Sequence, residues 1–155
     1  VVSENHLKQI ISLIKDKKVV RYTQTNEADA ATADVLIIDC YGLLSSIYRY
    51  GQVSYVGGGF GVGIHNVLEA GVWGIPVIFG PNNKRFDEAQ GLLAVKGGYE
   101  IKTADDFDNI MSQLDSDPQM LEQSGRSAGE YVGKLSGATR KILSSINSKA
   151  NERLA

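Results

Sequence analysis

Five short apolar runs, most of them followed by a helically patterned stretch, limit this chain to very few folds. Val19–Thr23, Val35–Asp39, Gln52–Val56, Pro76–Phe79 and Tyr99–Ile101 read as strands. Ser3–Asp16 carries Leu7, Ile10, Ile11 and Ile14 at i, i+3, i+4 and i+7, one face of an amphipathic helix with Ser3 as its N-cap. Leu43–Tyr50, His65–Val72 and Arg85–Val95 read as the intervening helices. Further on, Thr103 with Asp105 and Asp106, and then Asp117-Pro118, are helix-start signals, and Ser136–Ser148 reads as a closing helix. The polar stretch at 25–34, TNEADAATAD, reads as a loop. Val35–Asp39 is a continuous apolar run ending in an acid, the pattern of a strand buried on both faces. This alternation predicts a doubly wound, Rossmann-like α/β fold, a parallel sheet with helices on both faces. Residues 1–155 are expected to form a single domain. A doubly wound domain ordinarily begins on a strand, whereas this chain opens on a helix, so the expectation is a fragment of a larger, two-domain protein.

Composition removes several function classes. Sixteen Lys and Arg stand against eighteen Asp and Glu, a net charge of -2, so nucleic acid is not an expected partner. Cys40 is the single cysteine, which rules out an internal disulfide framework and fits a reducing compartment. No apolar run approaches the ~20 residues of a membrane span, and the start, VVSENHLKQI, has no signal-peptide pattern. The expected location is the cytoplasm.

In open α/β sheets, ligands bind beyond the carboxyl ends of the strands. There the run from Tyr55, YVGGGFGVGIHNVLEAG, places five glycines within positions 57–63 (Gly57, Gly58, Gly59, Gly61 and Gly63). Such a loop lets a backbone approach a ligand closely, and the helix behind it offers N–H donors suited to phosphate. It matches neither the P-loop pattern nor a dinucleotide fingerprint. A tight strand-to-helix turn without a ligand is the other reading of the same glycines. His65, Asn66 and Glu69 follow within about one turn, with His65 and Glu69 four apart on one helical face. A carboxylate there can accept hydrogen bonds from ribose hydroxyls. Two such side chains without a third ligand make a poor zinc site, so no metal is expected.

These residues resemble the C-terminal half of the 3-deoxy-D-manno-octulosonic acid (Kdo) transferases, enzymes of the two-domain GT-B glycosyltransferase fold. The resemblance rests on Asp39, Gly42, Leu44 and Tyr48 in DCYGLLSSIY, on Val56-Gly57-Gly58, and on His65-Asn66-Val67-Leu68-Glu69-Ala70. Ile75-Pro76-Val77, Gly80-Pro81 and Phe86 continue it. The chain departs from the family at Leu43, commonly Glu there, at Val67, commonly Pro, and in a shorter glycine loop.

The resemblance implies a donor-binding domain for the nucleotide sugar CMP-Kdo, which is a substrate, so no cofactor is expected. It implies a lipid A precursor as acceptor, and a catalytic carboxylate base in an N-terminal domain outside this chain. The full protein would act in lipopolysaccharide biosynthesis, peripheral at the inner face of the bacterial inner membrane. Gly57, Gly58 and Gly59 would offer backbone contacts to the donor. Asn66 would bind near the phosphate or ribose, Glu69 would bind ribose hydroxyls, and His65 would orient the loop or reach the phosphate. Pro81 and Asn82 would lie near the sugar, and Asp39 would border the cytosine or cap the next helix. A UDP-dependent GT-B enzyme (an epimerase or an N-acetylglucosaminyl transferase) and a non-catalytic nucleotide-binding module are the alternatives.

Overall fold

Two separate parallel sheets organise the described residues. The computed structural model describes residues 3–137 and 142–146, and these divide between two compact units that meet in sequence at Ile47 and Tyr48.

The first unit holds α1 (Glu4–Leu13), β1 (Val19–Arg21), α2 (Glu27–Ala31), β2 (Val35–Ile37) and α3 (Leu44–Ile47). Ser3 caps α1, its hydroxyl accepting from the His6 amide, and Leu7 is buried. β1 and β2 pair in parallel, Val19 opposite Val35 and Arg21 opposite Ile37. Beyond their ends the Asp39 carboxylate is taken up by its neighbours. It accepts from the Thr23 amide at 2.9 Å, the Thr23 hydroxyl at 2.7 Å and Arg21 Nε at 2.8 Å. The same guanidinium forks onto both oxygens of Glu4, at 2.7 and 3.1 Å, tying α1 to the strand pair.

Two expectations are corrected here. Val35 and Ile37 are half-buried while Leu36 is 43% exposed, so this strand is covered on one face. Alternate residues point to opposite sides of a strand, so the side that Leu36 faces is the open one. Residues 27–31 are helical, where a loop was expected. Asn26 caps that helix by accepting from the Asp29 amide at 2.9 Å, and Glu27 and Asp29 sit in its first turn, where the helix dipole favours acids.

The second unit opens with a 3-10 turn, Tyr48–Tyr50. Its strands are β3 (Ser54–Val56), β4 (Val77–Phe79) and β5 (Gly98–Glu100), in the order β3-β4-β5 and all parallel. Its helices are α4 (Leu68–Gly71), α5 (Asp87–Ala94), α6 (Ala104–Ser116) and α7 (Pro118–Leu135). Val77, Ile78 and Phe79 of the central strand are completely buried. Val77 and Phe79 pack with Val67, Ala70, Ala89, Leu92 and Ala128 on the α4, α5 and α7 side. Ile78 points the other way, to Leu114, Phe107, Ile110 and Met111 of α6. Helices therefore cover both faces of a parallel sheet, the expected α/β class. Burying a side chain of this kind stabilises the fold by about 1.5–3 kcal/mol.

The helix starts follow their sequence signals. Thr103 closes a capping box with Asp106, and Asp117 accepts from the Gln119 and Met120 amides ahead of Pro118. α7 runs to Leu135 with Ser136 as its C-cap, so Ser136 ends a helix where it was expected to begin one. Of the expected closing helix, residues 142–146 are helical, residues 136–137 are not, and the others lie outside the described residues. Among the described residues no helix is long and apolar enough to cross a membrane.

Candidate functional site

Two loops leave the carboxyl ends of adjacent strands and lock together. The loop after β3 begins at Gly57, and the loop after β4 begins at Gly80. Asn82 joins them twice: its amide donates to the Gly59 carbonyl at 2.9 Å, and its side-chain nitrogen donates to the Gly61 carbonyl at 2.6 Å. A β-carbon on Gly58, whose φ is +89°, would collide with the Gly63 carbonyl oxygen, so a glycine is required there. The loop also spends donors on itself, since the Gly61 and Gly63 amides both donate to the Gly58 carbonyl, at 2.9 and 3.3 Å. Arg85 reaches in from the second loop and donates to the Val62 carbonyl, while its guanidinium lies 5.2 Å from the Phe86 ring centre.

The segment after the glycines is a turn before it is a helix. α4 covers four residues, so His65 and Asn66 precede it, and the expected pairing of His65 and Glu69 on one helical face is corrected. The cause is Asn66, whose Oδ1 accepts from the Leu68 amide at 3.0 Å and holds the chain in a local turn. The Asn66 side-chain nitrogen in turn donates to Glu69 Oε1 at 3.0 Å. Glu69 is half-buried, and its second oxygen accepts no hydrogen bond from any described residue. The His65 amide donates to the Gly57 carbonyl at 3.1 Å, and its exposed ring packs along Gly58. Burial raises the Tyr48 phenol pKa, and the negative charge of Glu69 adds to the rise. Tyr48, which entered the sequence reading only through the family pattern, thus senses the carboxylate of the site.

His65, Asn66 and Leu68 border a cavity of about 320 Å³ together with Phe86 and Glu88. Pro81 and Asn82 border a second one, about 570 Å³, with Lys84, Arg85 and Lys102. The structure therefore gathers Gly57, Gly58, Gly59, His65, Asn66, Glu69, Pro81 and Asn82 around two interlocked loops of the second unit. Asp39 belongs to the first unit, where its carboxylate is engaged by Arg21 and Thr23. Sequence reasoning missed Lys84, Arg85 and Lys102. The available signal was the basic pair directly after the turn Gly80-Pro81-Asn82-Asn83, at a strand's carboxyl end. Among the described residues no three His, Cys, Asp or Glu side chains gather as a metal cluster.

A carboxylate held on one oxygen and available on the other, behind a braced glycine loop, is suited to hydroxyl groups on a ligand lying across the loop. The class so defined is an α/β domain with a candidate site at the carboxyl ends of parallel strands. Comparison with known proteins is specific. The chain is 35% identical over 107 residues to the 3-deoxy-D-manno-octulosonic acid transferase of Aquifex aeolicus, covering 66% of this chain and 30% of that enzyme. It is 31% identical over 114 residues to the transferase of the same name from Rickettsia prowazekii, covering 70% of this chain and 25% of the enzyme. The chain thus spans about a third or less of these relatives. In fold it is similar to the crystal structure of the C-terminal CMP-Kdo binding domain of WaaA from Acinetobacter baumannii. That match has a TM-score of 0.71 at 22% identity and covers 83% of this chain and 67% of that one. No family model matches the chain. The chain is related to the Kdo transferases over about two thirds of its own length.

Proposed function

We propose that this chain is the donor-binding half of a glycosyltransferase that transfers Kdo from CMP-Kdo to a lipid A precursor. In this reading the full protein works in lipopolysaccharide synthesis at the cytoplasmic face of the inner membrane, and CMP-Kdo is its substrate with no added cofactor. The observation that carries it is the Asn66–Glu69 pair behind the braced loop, in a chain whose relatives are named for this transfer. Glu69 accepts from ribose hydroxyls through its available oxygen, with Asn66 fixing the other. The backbone of Gly57–Gly59 lies along the phosphate, where a close approach needs the absence of side chains. His65 reaches the phosphate from the flank of Gly58. Kdo transfer also requires a base to take the acceptor hydroxyl's proton. None of these residues is assigned that role, which belongs to an N-terminal domain.

The test is calorimetric titration of the chain with CMP, UDP and NAD. CMP is expected to bind in preference to UDP and NAD, and Glu69→Ala to weaken it. Preference for UDP would move the reading to the UDP-dependent enzymes, and binding of none of the three would overturn it.

A further inference from the structure

The cavity beside the glycine loop has a charge pattern that the nucleotide reading leaves unused. Lys84, Arg85 and Lys102 surround it, with Glu100 the one acid among its walls. This excess stands out in a chain whose net charge is -2. Glu100 is committed to the scaffold: its Oε2 accepts from the side-chain nitrogen of Asn83 at 2.7 Å, and Lys102 Nζ lies 3.5 Å from its Oε1. Asn83 is fully buried and also bonds the Gly80 carbonyl at 2.9 Å and Gln90 at 2.7 Å, so the floor is rigid. Lys84 has no acidic partner among the described residues, and Arg85 gives its charge to a carbonyl and a ring. Two cations without an acidic partner among the described residues and a third in a loose ion pair therefore face a space of about 570 Å³. Cations gathered beside a braced loop favour an anionic ligand group.

We infer that this cavity, chiefly through Lys84 and Lys102, takes the carboxylate of the donor's sugar acid and so selects a CMP-linked sugar acid over a neutral nucleotide sugar. The inference rests on the donor reading above. The carboxylate follows from the ligand's chemistry, since an octulosonic acid is ionised near neutral pH. The cavity is joined to the nucleotide loop through Gly61 and Val62, which line it. Phosphate carries the same charge and is the other anion that could enter.

The experiment compares CMP and CMP-Kdo binding by calorimetry in the unaltered chain and in Lys84→Met, Lys102→Met and the double variant. Both lysines are exposed, so melting temperatures should be retained. The expected result is tighter binding of CMP-Kdo than of CMP, with that margin shrinking about tenfold in the double variant while CMP affinity holds within about twofold. Lys84→Arg with Lys102→Arg should recover most of the margin. An equal loss for CMP would place the phosphate in the cavity and overturn the carboxylate assignment, as would a margin unchanged in every variant. Either result leaves the donor reading standing. Absence of CMP and CMP-Kdo binding in the unaltered chain would overturn both.

Discussion

A β-carbon on Gly59 would stand 2.6 Å from the Cα of Gly80, so the loops after β3 and β4 meet backbone against backbone. The bracing of the glycine loop by Asn82, which reaches Gly59 and Gly61, goes with that contact. The contact also accompanies the cationic cavity that Gly61 and Val62 line.

Gly59→Ala is therefore expected to cost about 1–3 kcal/mol of stability, the range for overpacking a filled site, and to abolish CMP binding. Gly42→Ala is the control. Gly42 also has a left-handed φ, +87°, but its β-carbon would meet nothing within 4 Å among the described residues. It should lose only the conformational term, about 1 kcal/mol. Urea unfolding midpoints of the two variants decide the matter, and equal losses would mean that the loop contact is unimportant.

Glu69→Ala should weaken CMP binding by about 1.5–3 kcal/mol, the range for a hydrogen bond to a charged group, with the melting temperature little changed. Asn66→Ala removes two interactions, the hold on Glu69 Oε1 and the turn closed on the Leu68 amide. It should lower both affinity and melting temperature. A Glu69 variant that melts early yet binds CMP normally would make the carboxylate structural.

Asp39 supplies a pH dependence. Hydrogen bonds from Thr23 foremost, and from Arg21, lower its pKa from 3.8 to about 2. A carboxyl whose folded pKa is depressed stabilises the fold fully above its unfolded value, and that contribution disappears as pH falls from about 4 toward about 2. Asp39→Asn should therefore lower the urea midpoint at neutral pH and flatten the acid limb between those values. Parallel acid limbs in the two proteins would show that another group controls acid unfolding.

Most of the fold can be read from the sequence because its signals are local. Val77-Ile78-Phe79 is a run of three apolar residues and lies fully buried in a central strand, while Thr103 and Asp117-Pro118 start helices as their chemistry requires. Residues 27–31 were missed because small, polar residues carry no apolar periodicity, and the Asn26 cap outweighed that composition. At the candidate site the sequence offers its residues only as a proposal, and the helical geometry it predicts for them differs from the structure. His65, Asn66 and Glu69 have helical spacing, yet the Asn66 side chain competes for the Leu68 amide and delays the helix. Lys84, Arg85 and Lys102 come from two loops, so no spacing reveals that they share a cavity.

Helix α7 allows one substitution to be tested at two positions with opposite outcomes. Gly125 is buried, and a β-carbon there would collide with the carbonyl oxygen of Gly74, with Cα of Ile75 only 3.4 Å away. Both neighbours are main chain, so no side chain can turn aside, and the segment after α4 must shift. Gly125→Ala should cost about 1–3 kcal/mol, which for a domain of this size lowers the melting temperature by several degrees. Gly133, two turns further along the same helix, would place its β-carbon more than 4 Å from any described residue outside its own helical turns. There the intrinsic preference of alanine over glycine acts alone, and Gly133→Ala should stabilise by up to about 1 kcal/mol. Thermal unfolding of the two variants should move in opposite directions. A matching loss at both positions would show that α7 does not pack against the Gly74 turn.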